Sequence, residues 1–281
     1  MHAAVIIPPD YSQKLFQKEK PQIQLLVDGS DPTTARTAFS SGVMAAQQFG
    51  IKVMNQMADR QAQKASSGGI DVRTKVLYNP ELKSQNFTIP GLIGLIMQNI
   101  TILLTAFTLV RERERGTIEQ IIVSPIKSPE LILWKLLPYT IIGFFDFLYA
   151  LAFGMWWFKV PCNGSIPLLI FLGIGFVICA LAIGVLISTI AKTQLQAMQL
   201  AILALLPSIL LSGFVFPREA MPKVIQWIGY AVPLTYFLNI IRGIILKGVG
   251  VSYLVNDIVM LMILGVVLLT LSIFRFRKKL D

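Results

Sequence analysis

Residues 111–120 read Arg-Glu-Arg-Glu-Arg-Gly-Thr-Ile-Glu-Gln, directly after a long apolar stretch. Alternating acids and bases pair with charged partners or phosphates, so the chemistry on offer here is docking rather than catalysis. The apolar stretch, residues 90–110, is long enough to span a bilayer, which needs about 20 apolar residues. Five consecutive charges, Arg111, Glu112, Arg113, Glu114 and Arg115, cannot enter hydrocarbon, so the helix leaves the membrane at this point. Gly116 then breaks the run, and Thr117 and Gln120 have capping-box spacing for a short amphipathic helix. Its Ile118, Ile121 and Ile122 share one face, with Gln120 and Ser124 on the other. Ser128-Pro129 starts the next helix as N-cap and first-turn proline. Glu112, Glu114 and Glu119 are set to meet basic groups of a partner, while Arg113 and Arg115 suit either a partner or lipid phosphates.

Asp146 is the second candidate, an acid between Phe145 and Phe147 inside an apolar segment. Acids at such positions are costly and face a bundle interior or a cavity. A pathway lining, a cation site, a proton relay and a structural pair with Tyr149 or a neighbouring helix all remain open. A third group is the proline-broken stretch 216–250, with Pro217, Pro222, Pro233 and Arg242.

The elements that position these residues follow from composition. The 281 residues are 54% hydrophobic and 14% charged, against about 25% charged in soluble domains. This is a polytopic membrane protein, mainly α-helical. Five spans are expected at about 90–110, 136–158, 166–190, 198–215 and 254–274. The two apolar pieces within 216–250 are too short to cross and read as a re-entrant hairpin. Its Trp227, Tyr230 and Tyr236 suit the membrane–water boundary. Small residues on the third span, including Gly173, Ala180 and Gly184, point to close helix packing. Pro207 and Gly213 allow the fourth to bend, and Gln194, Gln196 and Gln199 at its start read as solvated.

Residues 1–89 are polar and mixed, and residues 90–281 form the membrane part. Strands at 3–7, 23–27 and 72–78 alternate with helices at 10–17 and 31–64, a small α/β domain of βαβαβ order. Asp31 is an N-cap with Pro32 behind it, and Ser66-Ser67-Gly68-Gly69 ends the long helix.

The net charge of +10 is distributed as the positive-inside rule expects. Loop 111–135 carries Arg111, Arg113, Arg115, Lys127 and Lys135; the turn before the fourth span carries Lys192; the tail carries Arg275, Arg277, Lys278 and Lys279. That side is cytoplasmic and residues 1–89 are extracytoplasmic. The charge has no base-reading pattern, so nucleic acid is not expected as a partner. Cys162 and Cys179 lie at different depths and imply no disulfide, Asn163-Gly164-Ser165 is a weak glycosylation match, and His2 alone makes no metal site. Nothing before residue 90 can carry a polar domain across a membrane, so a first transmembrane helix is expected upstream of Met1.

Several stretches, in order, resemble the permease subunits of ABC-2 type exporters with a large extracytoplasmic domain between their first two spans. Ala4-Val5-Ile6-Ile7-Pro8-Pro9-Asp10-Tyr11 is similar to the IP-x-[DG]-[FY] stretch, and Val27-Asp28-Gly29-Ser30-Asp31-Pro32 to the DGSDP turn. The knot at 111–120 is similar to RERE-x-GT-x-E-x-L, continued by Ser124-Pro125-Ile126 and Glu130. Phe214-Val215-Phe216-Pro217, Met221-Pro222 and Pro233-Leu234-Thr235-Tyr236 are similar to SG-x-x-[FY]P…MP…PLTY. The resemblance implies export of a hydrophobic or amphipathic compound across the bacterial inner membrane. It implies a second permease protomer, a cytoplasmic ATPase and, in some systems, a periplasmic adaptor, besides membrane lipid. ATP and magnesium would sit in the ATPase, since this chain has no Gly-x-x-x-x-Gly-Lys-[Ser/Thr] and is not itself an enzyme. It assigns ATPase coupling to the knot, from Glu112 through Gln120, and places the hairpin beside the pathway exit as a gate. An ion-coupled secondary transporter using Asp146, and a non-transporting membrane anchor or sensor, are the competing classes.

Overall fold

The computed structural model describes residues 3–16, 22–60, 71–116 and 128–275. It divides into two compact units, residues 1–87 and 88–281.

In the first unit, β1 (Ala3–Ile6), α1 (Tyr11–Phe16), β2 (Gln22–Asp28), α2 (Pro32–Arg60) and β3 (Asp71–Leu77) follow in order. β2 is the central strand, antiparallel to β1 with Ala3 opposite Val27, and parallel to β3 with Gln22 opposite Asp71. A parallel pair needs a crossover, and α2 supplies it. Leu25, Val27 and Ala35 form the buried core. Asp31 caps α2 through Thr33 N–H at 2.9 Å and the Thr34 hydroxyl at 2.7 Å. Gly29 is required by space: a Cβ there would lie 2.7 Å from the Leu77 carbonyl. The Ser-Ser-Gly-Gly stop at 66–69 lies outside the described residues.

The second unit is helical. α3 (Ser84–Glu114) begins in the first unit's sequence and runs through it; α4 (Ser128–Trp156), α5 (Ile166–Ile190), α6 (Gln194–Leu211) and α9 (Val251–Arg275) complete the long helices. Among the described residues five helices are long and apolar enough to cross a membrane. Ser165 accepts from the Leu168 N–H to cap α5. Thr193 caps α6 through the Gln196 N–H, so that helix starts four residues earlier than its apolar content indicates. It stops at Leu211, before Gly213 turns left-handed at φ +84°.

α5 is the central post. Glycine lets its neighbours approach: a Cβ at Gly173 would stand 2.4 Å from the Phe147 ring, and one at Gly184 would meet the Ile102 carbonyl at 3.0 Å. On α9, Gly265 leaves room for the Cys179 sulfur of α5. These contacts explain the small residues of the third span as packing. Cys162 and Cys179 are both free thiols.

Residues 216–250 form the bent element: a single helical turn at Arg218–Ala220, then α7 (Lys223–Gly229) and α8 (Pro233–Arg242), continued by a wider turn at Gly243–Lys247. The two limbs meet at 86°. At about 1.5 Å per residue, 233–247 covers roughly 22 Å, short of the roughly 30 Å core. Both limbs belong to the same end of the bundle. Gly229 packs on the Leu211 carbonyl at the end of α6, and Asn163, between α4 and α5, holds Ile245 and Leu246. The second limb is pressed into the core, where Phe237 stacks on Phe176 at 4.2 Å and meets Phe147 edge-on.

Candidate functional site

The charged knot is a continuation of α3, helical through Glu114 and closed by Gly116 at φ +70°, the left-handed residue that commonly ends a helix. Arg111 and Arg113 occupy its last turn, where cations favour the helix dipole. Arg111, Glu112, Arg113 and Glu114 each find a partner on or beside a neighbouring helix. Arg113 donates to the Ala191 carbonyl at 3.1 Å, satisfying an acceptor at the C-terminus of α5. Glu114 accepts from the Gln194 backbone N–H at 2.8 Å and from its side-chain amide, placing an anion at the N-terminus of α6. Arg111 donates to the Gln194 side-chain oxygen at 3.2 Å, and Glu112 pairs with Lys135 on α4. One turn of α3 thereby ties together α4, α5 and α6.

This changes the roles expected for individual residues. Glu112 and Glu114 are engaged within the chain. Gln194, expected to be merely solvated, is half-buried and bonded to both Arg111 and Glu114, and Gln196 accepts from the Lys192 N–H at 2.9 Å. Arg115 and Gly116 are exposed at the tip. Thr117, Glu119, Gln120 and the short amphipathic helix lie outside the described residues. Beside this end an open groove of about 490 Å³ is lined by Ile190, Leu200 and Leu203 with the amides of Gln196 and Gln199.

Asp146 sits within α4, half-buried, with its Oδ2 buried and lacking a hydrogen-bond partner among the described residues. The pair with Tyr149 does not form: Tyr149 is 71% exposed and stacks on Phe153. On α3, Gln98 donates to Ser208 of α6 at 2.9 Å, a buried bridge that the sequence reading missed.

Arg242 lies at the hairpin end, where it donates to the Gly213 carbonyl at 3.0 Å and passes close to Gly91 of α3. Pro233 opens α8 as its first residue and is buried, and Pro217 precedes the turn that carries Arg218. Asp257 of α9 joins this end by accepting from Asn239 at 3.0 Å. It too was missed, although the signal was the same as for Asp146: an acid inside an apolar segment. The structure does not bring Asp146 together with Arg242 or the knot. The site residues divide between two ends of one helical bundle.

A family profile described as ABC-2 family transporter protein matches residues 1–274. The chain belongs to the ABC-2 transporter family. A probable multidrug ABC transporter permease of Escherichia coli (strain K12), YbhS, is 35% identical over 99% of this chain and 73% of its own length. The inner membrane transport permease YhhJ of the same strain is 32% identical over 98% of this chain and 72% of its own. An ABC transporter G family member, number 20, from Dictyostelium discoideum is 25% identical over 65% of this chain and 25% of its own length. This is therefore a multi-pass membrane permease of that family, and the knot and hairpin are features of a transporter.

Proposed function

We propose that the chain is the membrane subunit of an ATP-driven exporter in the cytoplasmic membrane of a bacterium. Two permease protomers form the pathway, and a separate cytoplasmic ATPase binds ATP and magnesium. The cargo is a hydrophobic or amphipathic compound. Residues 1–87 lie outside the cell and the knot lies inside, following the basic flanks.

The observation that carries the reading is the junction at the knot. A push on α3 from the cytoplasm reaches α4 through Glu112 and Lys135, and reaches α5 and α6 through Ala191 and Gln194. A rigid junction of this kind turns a nucleotide-dependent movement of a partner into a tilt of several spans. The groove beside it supports the cargo class, with apolar walls for a lipophilic body and two amides for a polar group.

The test is reconstitution of the protein with its cognate ATPase in liposomes, followed by a lipophilic fluorescent dye. Dye movement that needs ATP and survives dissipation of ion gradients is expected. Movement that follows an ion gradient without ATP, and stops in Asp146→Asn, would replace this reading by ion coupling at the buried Asp146 carboxylate.

A further inference from the structure

Two arginines converge on one residue at the hairpin end. Arg242 donates to the carbonyl of Gly213, and Arg218 lies along the same glycine, where a Cβ would sit 3.1 Å from Arg218 Cγ. The left-handed φ of Gly213 and its missing side chain let the Arg218 stem pass close to the residue whose carbonyl Arg242 holds. The Arg218 guanidinium carbon stands 4.4 Å from the centre of the Tyr230 ring. Its Nε is buried without a hydrogen-bond partner among the described residues. Asp257 is near enough for the charges to attract, but one of its oxygens is already taken by Asn239.

A half-buried guanidinium beside apolar helices is costly without an anion. Its planar fork matches phosphate oxygens, and the ring beneath Arg218 fixes its plane. Around it, Tyr230 and Trp227 are exposed, as aromatic residues are at the depth of lipid headgroups. We propose that Arg218 and Arg242 seat the phosphate of a membrane phospholipid headgroup at this end of the bundle. The acyl chains then lie along the exposed apolar faces of α7 and α9, where Val224, Ile228, Val255 and Val259 face outward. The proposal rests on the local geometry and stands whether or not the chain exports drugs.

The experiment is thermal unfolding of the purified protein in detergent, titrated with dioleoyl-phosphatidylglycerol, dioleoylglycerol or inorganic phosphate. A ligand that binds the folded state raises the midpoint. Phosphatidylglycerol raises it in the wild type, whereas dioleoylglycerol and phosphate at equal concentration do not. Arg218→Gln shifts the half-saturating lipid concentration upward by about tenfold, the loss of a charge-assisted contact. Arg218→Lys, which keeps the charge without the fork, gives an intermediate loss, and the exposed Lys223→Gln leaves binding unchanged. Equal saturation of Arg218→Gln and wild type, an equal loss in Lys223→Gln, or a full response to inorganic phosphate would each overturn the assignment.

Discussion

The two ends of the bundle handle charge by opposite means. At the knot end, side chains of both signs are displayed together, and Arg111, Glu112, Arg113 and Glu114 each meet another side chain or a helix terminus. At the hairpin end, cations reach backbone carbonyl and aromatic ring, and the nearest acid is held by an amide. Polar contacts near the surface are individually weak, about 0–1 kcal/mol for an exposed ion pair, so stiffness at the knot comes from several of them acting on one helical turn. Half-buried cations cannot be exchanged cheaply, because desolvation penalises every unpaired intermediate. The first arrangement suits a surface that must engage and transmit. The second suits a surface that must keep its shape against lipid.

The sharpest way to break this comparison is topological, and its outcome is all or none. Single cysteines replacing Ser66 and Lys192 should react with an impermeant reagent from opposite sides of the membrane. Labelling of both from one side removes the assignment of an inner and an outer end. Next in size is the junction itself. Glu112→Lys sets like charges against Lys135 and should lower cargo-stimulated ATPase activity by about tenfold, within the range of ordinary coupling energies. Adding Lys135→Glu should restore most of it, with membrane insertion unchanged throughout. Failure of the double variant to recover would mean that Glu112 serves a partner directly. The smallest effect is expected at the other end. Arg242→Ala and Pro233→Ala should change export rate or cargo range several-fold while ATPase association, measured by co-purification, stays near wild type. Normal export by both would reduce the hairpin to packing.

The spans were legible because hydropathy is a local property. α5 occupies 166–190 as expected, since Ser165 caps it and Pro167 fits the first turn. α6 was placed four residues late because its first turn, Gln194 to Ala197, is polar and only the Thr193 cap marks it. The prolines at 217, 222 and 233 announced the hairpin, since each removes a backbone donor and forces a new start. The site partners were less legible. Glu112 meets Lys135 across 23 residues, and Gln98 meets Ser208 across 110, and no spacing rule reaches that far. Asp257 was within reach of the rule applied to Asp146 and was overlooked because it lies near the start of its segment.

The second limb of the hairpin meets the bundle smoothly near its start and is pinned from Asn239 onward. Near that start it touches the bundle through rings, Phe237 stacked on Phe176 and edge-on to Phe147, contacts without the fixed direction of a hydrogen bond. Its directional ties to Asp257, Gly213 and Asn163 begin at Asn239 and continue through Arg242 to Leu246. The limb is built like a plain bearing, so a tilt of α5 can pass beneath it as slip instead of dragging it inward. The wear surface of such a bearing is aromatic, and replacing a ring there by a small polar side chain would open a cavity and bury a polar group without a partner.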